Sequence, residues 1–193
     1  GTAHTFGNFF GALYKNAMTW FDHETLSLWS QPVGTALIGP HEGVRLSLIP
    51  AAVMPWNTWR KEQPHTEVLD APRVAGANPF SGARGQYVLG VSLGDVAKSF
   101  PFEAVGRKVA VNDFVGDVPV VVYANPEDGS AHIFIRRTES GTLDFEWRNG
   151  ELRDLDTGSL WDPARGFAVD GVLRGQILKE VPYSTAYGWA WSD

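Results

Sequence analysis

The sequence predicts an all-β fold with two pseudo-symmetric β-barrel or sandwich lobes and few short helices. Three observations predict it. The chain of 193 residues carries 21 glycines and 12 prolines, a turn-rich composition far from that of a helical bundle. Its apolar residues fall in short alternating runs bounded by glycine, the pattern of β-strands. A long internal repeat then sets the architecture before any local assignment does.

At a constant offset of 132, Asp22, Thr25, Ser27, Leu28 and Trp29 fall on Asp154, Thr157, Ser159, Leu160 and Trp161. The register continues through Gly34, Ala36, Gly39, Gly43, Leu46, Pro50 and Trp59, which fall on Gly166, Ala168, Gly171, Gly175, Leu178, Pro182 and Trp191. Each copy reads as a charged turn, a strand carrying Ser and Trp, and a glycine-bounded pair of short strands such as 35–38 and 45–48. Residues 55–61 read as a short helix opened by proline. The Pro/Gly/Asn-rich stretch 70–86 reads as a connector between a first repeat lobe, 1–69, and a second, 87–193. In the second lobe, 87–94 reads as a strand and turn, and 118–123 as a buried strand after the Gly116-Asp117 turn. Residues 132–137 and 142–147 read as a hairpin turned at Glu139-Ser140-Gly141, and Asn112-Asp113 as a hairpin lead-in. The opening Gly1-Thr2-Ala3-His4-Thr5-Phe6 matches Gly141-Thr142-Leu143-Asp144-Phe145, so the first lobe starts partway through its repeat. Its leading strands are expected to be missing or supplied by another polypeptide, which makes a protein partner the expected associate.

Charge and length exclude several classes. With 16 basic against 22 acidic residues and a net charge of −6, and with the basic residues scattered, no electrostatic footprint for nucleic acid exists. No apolar run approaches the roughly 20 residues of a transmembrane helix. The absence of cysteine excludes disulfides, thiolate metal sites and cysteine nucleophiles. No phosphate loop, dinucleotide fingerprint, Gly-x-Ser-x-Gly elbow or His-Glu-x-x-His helix occurs.

The residues Thr5-Phe6-Gly7, Leu13-Tyr14, Asn16-Ala17, Asp22, Thr25 and Ser27-Leu28-Trp29, with Val111-Asn112-Asp113, Gly116 and Pro119-Val120-Val121-Val122, resemble the prokaryotic domain-of-unknown-function 3179 family. The resemblance spans nearly the whole chain. It implies the duplicated β-pattern and an exported or lipid-anchored setting, hence an extracytoplasmic location, periplasmic or cell-surface. Family members usually carry a Cys-Pro-x-Cys segment just ahead of the position where this chain begins. The resemblance implies no particular activity.

Candidate chemistry is weighed against plain structure. Asp22, Thr25, Ser27 and Trp29 could be a base and nucleophile cluster, but the same set recurs as Asp154, Thr157, Ser159 and Trp161. A turn whose Asp bonds nearby amides, followed by a core Trp, explains both copies more simply. Function is expected where the copies differ. The first alone carries 7–14 and the histidines His23 and His41, with His65 downstream. Together with Asp22 or Glu24 these offer the imidazole and carboxylate donors that suit zinc or copper; lone surface histidines are also common, and His4 and His132 are weaker candidates. No cofactor is predicted beyond such a transition metal. Trp20, Trp56, Phe9 and Phe10 are the expected binding residues, for a partner or, less directly, a sugar. The leading expectation is a non-catalytic extracytoplasmic binding or accessory module, a candidate subunit of a larger membrane-associated complex. The alternative is a metal-binding protein or metal-dependent enzyme.

Overall fold

The computed structural model describes residues 3–15, 17–51, 54, 56–68 and 87–191. The expected connector, 70–86, lies outside the described residues.

The first lobe is an antiparallel meander of β1 (Phe6–Tyr14), β2 (Ala17–Asp22), β3 (Leu28–Ser30) and β4 (Ala36–Ile38), in that order across one sheet. A bulge between Phe9 and Leu13 interrupts the pairing of β1 with β2. Residues 45–48 do not form the expected strand. Arg45 makes one isolated bridge to Thr35, flanked by backbone bonds from the Ala36 amide to the Val44 carbonyl and from the Leu46 amide to the Gly34 carbonyl. Helix α1 (Trp56–Glu62) follows.

The second lobe begins with β5 (Tyr87–Leu93), β6 (Val96–Pro101) and α2 (Phe102–Gly106), then β7 (Ala110–Val115), β8 (Val118–Ala124) and β9 (Ala131–Ile135). Next come the two-residue strands β10 (Arg137–Thr138) and β11 (Gly141–Thr142). A second meander of β12 (Phe145–Arg148), β13 (Glu151–Asp154), β14 (Leu160–Asp162) and β15 (Phe167–Asp170) repeats the first. The chain closes with β16 (Lys179–Glu180), β17 (Ser184–Tyr187) and α3 (Gly188–Trp191).

The sheet β16-β9-β8-β7 is the middle layer. Alternate side chains of a strand point to opposite faces, and the side chains of β8 and β9 are buried on both, so this sheet is covered on its two sides. Val120, Val122 and Ile133 pack with Leu89, Val91 and Phe100 of β5 and β6. Val121 and Phe134 pack the other way, with Phe145, Leu152, Trp161 and Ala168 of the second meander. The sheets are open and sandwich-like, with no closed barrel among the described residues. Both hydrophobic clusters of the described residues belong to the second lobe.

The expected hairpin of 132–137 with 142–147 shrinks to the two rungs of β10 and β11. Its longer arms part into different sheets because Arg136 turns the corner, its guanidinium donating to the carbonyl of Leu143 at 2.9 Å and to Asp144 at 2.7 Å. Asn112 and Asp113 likewise sit inside β7 instead of a turn. Asn112 clamps the main chain of Phe145, donating to its carbonyl at 2.8 Å and accepting from its amide at 2.9 Å, and so fastens the middle sheet to the second meander. No helix among the described residues is long and apolar enough to cross a membrane.

Candidate functional site

The two meanders share one polar cage. Asp22, at the end of β2, is fully buried. Its Oδ1 accepts from the Thr25 amide at 2.6 Å and the Thr25 hydroxyl at 2.7 Å, and its Oδ2 accepts from the indole N–H of Trp29 at 2.8 Å. Asp154 accepts from the same three groups, the Thr157 amide at 2.6 Å on Oδ1, and the Thr157 hydroxyl at 3.1 Å and the Trp161 indole at 2.9 Å on Oδ2. The hydroxyls of Thr25 and Ser27 lie 2.6 Å apart, those of Thr157 and Ser159 2.7 Å. Each serine then accepts a backbone amide from the far loop, Ser27 from His41 at 3.2 Å and Ser159 from Leu173 at 3.1 Å. That approach requires glycine just before it. Gly39 and Gly171 have φ of +106° and +93°, and a Cβ on either would come within 2.8 Å of the serine backbone. The cage is therefore an architectural unit in both lobes, with the two indoles in the core.

The correspondence between the two cages also shows where the lobes part. Phe6 and Phe145 both pair with the cage aspartate across the hairpin and both meet the cage tryptophan edge-on. This makes His4 the counterpart of Leu143, and His41 the counterpart of Leu173. In the second lobe those leucines are 3% and 6% exposed and pack in the core. In the first lobe two imidazoles replace them, beside a buried carboxylate.

The ligand-type atoms of His4, Asp22 and His41 all lie within 4.8 Å of one another, and this is the one group of three or more such donors among the described residues. The two rings meet edge to face with centroids 4.9 Å apart. His4 Nδ1 lies 3.8 Å from Asp22 Oδ1 and 3.5 Å from Glu24 Oε2. His4 Nδ1 and His41 Nε2 are both shielded from solvent and neither makes a hydrogen bond. Buried polar atoms are normally paired, so two orphaned nitrogens converging on a carboxylate mark the place. Glu24 flanks His4 from the outside and is itself held in position, because both its oxygens accept from the Thr5 amide, at 3.0 and 3.1 Å, and one also accepts the Thr5 hydroxyl at 2.8 Å. Burial alone would raise the pKa of Asp22, but the hydrogen bonds from Trp29 and Thr25, with the nearby His4, hold it well below the usual carboxylate range. It is therefore an anion at neutral pH, as a metal ligand has to be.

The other sequence-predicted residues lie elsewhere. His23 is exposed in the turn after β2 and packs edge-on against Phe21 at 4.8 Å. His65 is exposed in a turn beyond α1. Of the three histidines expected to converge, only His41 is in the cluster, and His4, the weaker candidate, completes it. His132 is buried in β9, with Nδ1 3.4 Å from Glu180. Trp20 packs against Phe6 with ring centroids 6.1 Å apart. Phe9 and Trp56 are exposed, on β1 and α1 respectively. Phe10 lies in β1, and its side chain is outside those described.

The family model "Protein of unknown function (DUF3179)" matches this chain twice, over residues 1–85 and 82–193. No curated protein and no solved structure matches it.

Proposed function

The chain belongs to the DUF3179 family and carries its pattern twice, and we propose, from the geometry of its first repeat, that it is a binding module that holds one divalent transition metal ion, zinc or copper, on His4, Asp22 and His41. One observation carries this reading: the positions that are core leucines in the second repeat, Leu143 and Leu173, are histidines here, with unpaired nitrogens facing a buried carboxylate. Imidazole and carboxylate are the donors that suit these ions. Zinc–nitrogen bonds of about 2.0–2.1 Å require the rings to draw in by side-chain rotation. The buried polar cage fixes Asp22 and the main chain at His41 while they do so.

The test is metal stoichiometry by elemental mass spectrometry after dialysis against zinc. The wild type is expected to hold one ion per chain, with affinity falling tenfold or more in His4→Ala and His41→Ala and unchanged in His23→Ala and His65→Ala. Absence of stoichiometric zinc, or a loss in His23→Ala instead, would overturn it.

A second reading, an accessory subunit held by a protein partner, is favoured by exposure. Phe6 and Leu46 are 39% and 38% exposed, whereas their counterparts Phe145 and Leu178 are each 3% exposed under the middle sheet. A partner that lays strands against this face would bury them. It predicts that the protein isolated from its native membrane or envelope fraction sediments above the mass of one chain, and that Phe6→Asp returns it to that mass. A monomer in the wild type would remove this reading.

A further inference from the structure

The donor count at this site extends the metal reading and rests on it. Three groups of the chain can ligate. His4 and His41 supply one nitrogen each. Asp22 supplies one oxygen at most: its Oδ1 already accepts two hydrogen bonds from Thr25, and its Oδ2, which accepts only the Trp29 indole, keeps one lone pair. Glu24 is the nearest further donor, 3.5 Å from His4, but it falls outside the group whose ligand atoms all lie within 4.8 Å of one another. Zinc sites with three protein ligands keep their fourth tetrahedral position for an exogenous ligand.

The surroundings leave that position reachable. In the second repeat the same place is sealed: Leu143, Leu173 and Phe145 are all 6% exposed or less, beneath Val121 and Phe134. In the first repeat the His4 side chain is 27% exposed and Phe6 is 39% exposed. Charge then selects the ligand. Two neutral imidazoles and one carboxylate leave a dication with a formal charge of about +1, and Glu24, 3.5 Å from His4, offsets part of it, so a single small monoanion is the most charge the position takes.

We propose that the metal at His4, Asp22 and His41 keeps one exchangeable coordination position on the exposed face of the first sheet, and that this position takes a single monodentate anion such as hydroxide or a carboxylate. The probe is cobalt(II) with azide. Wild-type protein loaded with one equivalent of cobalt(II) is expected to show a saturable one-to-one shift of its visible bands on azide addition, with the cobalt retained after dialysis. The Glu24→Gln variant is expected to show the same shift. Stoichiometric cobalt with a spectrum that azide does not change overturns the open position while leaving the metal reading intact. A response to azide only in Glu24→Gln would identify Glu24 as the fourth ligand and likewise overturn it. Failure to bind cobalt stoichiometrically overturns the metal reading itself.

Discussion

Replacing His4 and His41 together by leucine writes the second repeat into the first, and the structure gives the size of the effect. The change removes two of three donors, so a monodentate carboxylate is all that remains. A ligand present at 100 times its dissociation constant stabilises the folded state by about 2.7 kcal/mol. For a chain of this length about 1 kcal/mol shifts Tm by roughly 2–4 °C, so zinc should raise the wild-type Tm by about 5–11 °C and leave the double variant unmoved. In the metal-free state the sign reverses. A buried, unpaired polar group costs about 1–3 kcal/mol, and the substitution removes His41 Nε2, whereas the gain from removing His4 Nδ1 is offset by its lost attraction to Asp22 and Glu24. The metal-free variant should therefore melt at least about 2 °C above the metal-free wild type. The cage serine still receives the backbone amide of residue 41, so the loop stays in place. Differential scanning calorimetry with and without zinc reads both effects, with the His23→Leu/His65→Leu pair as control. A zinc-induced shift that survives in the His4→Leu/His41→Leu protein, or a metal-free form less stable than wild type, would refute the reasoning.

Three further outcomes are expected from the same geometry. Gly39→Ala and Gly171→Ala should each cost about 2–4 kcal/mol, from the positive φ and the clash with the serine backbone; only Gly39→Ala should also weaken zinc binding, read by titration calorimetry on folded protein. Phe145→Ala should cost about 3–5 kcal/mol in urea unfolding, whereas Phe6→Ala, at an exposed site, should cost less than half as much. Finally, the folded-state pKa of Asp22 is depressed below its ordinary value of 3.8, so its contribution is complete above that value and is lost as pH falls toward the folded one. Metal-free wild type should therefore lose urea midpoint more steeply than Asp22→Asn between about pH 4 and pH 2, and parallel profiles would contradict this.

The parts of the molecule that were legible in the sequence are those whose partners are close along the chain. The cage of Asp22, Thr25, Ser27 and Trp29 spans eight residues and recurs at a fixed offset, so spacing alone exposes it. His4 escapes that register. The β1–β2 hairpin is seven residues longer between paired Phe6 and Asp22 than its counterpart between Phe145 and Asp154, so the match of His4 to Leu143 is displaced from the constant offset of 132. Matched from Gly1-Thr2 on Gly141-Thr142, the opening sets Ala3 against Leu143; only the structural correspondence of Phe6 with Phe145 sets His4 there. His23 misleads in the opposite way, because it adjoins Asp22 in sequence but lies in the turn after β2, exposed and packed on Phe21. Asn112 reads as a turn residue by type, and only the sheet-to-sheet packing shows that it binds the main chain of Phe145.

The first meander pairs only strands adjacent in sequence and contributes to neither hydrophobic cluster of the described residues. Elements with few buried apolar contacts open at low free energy. An ion held by His4, Asp22 and His41 would join the start of β1, the end of β2 and the loop after β4, clipping two successive loops of the sheet. Metal clips of this kind stabilise by lowering the entropy of the opened chain. The ion would thus brace, by cross-linking, a sheet whose sister is braced by burial, and its occupancy would set how often the first lobe unzips independently of the second.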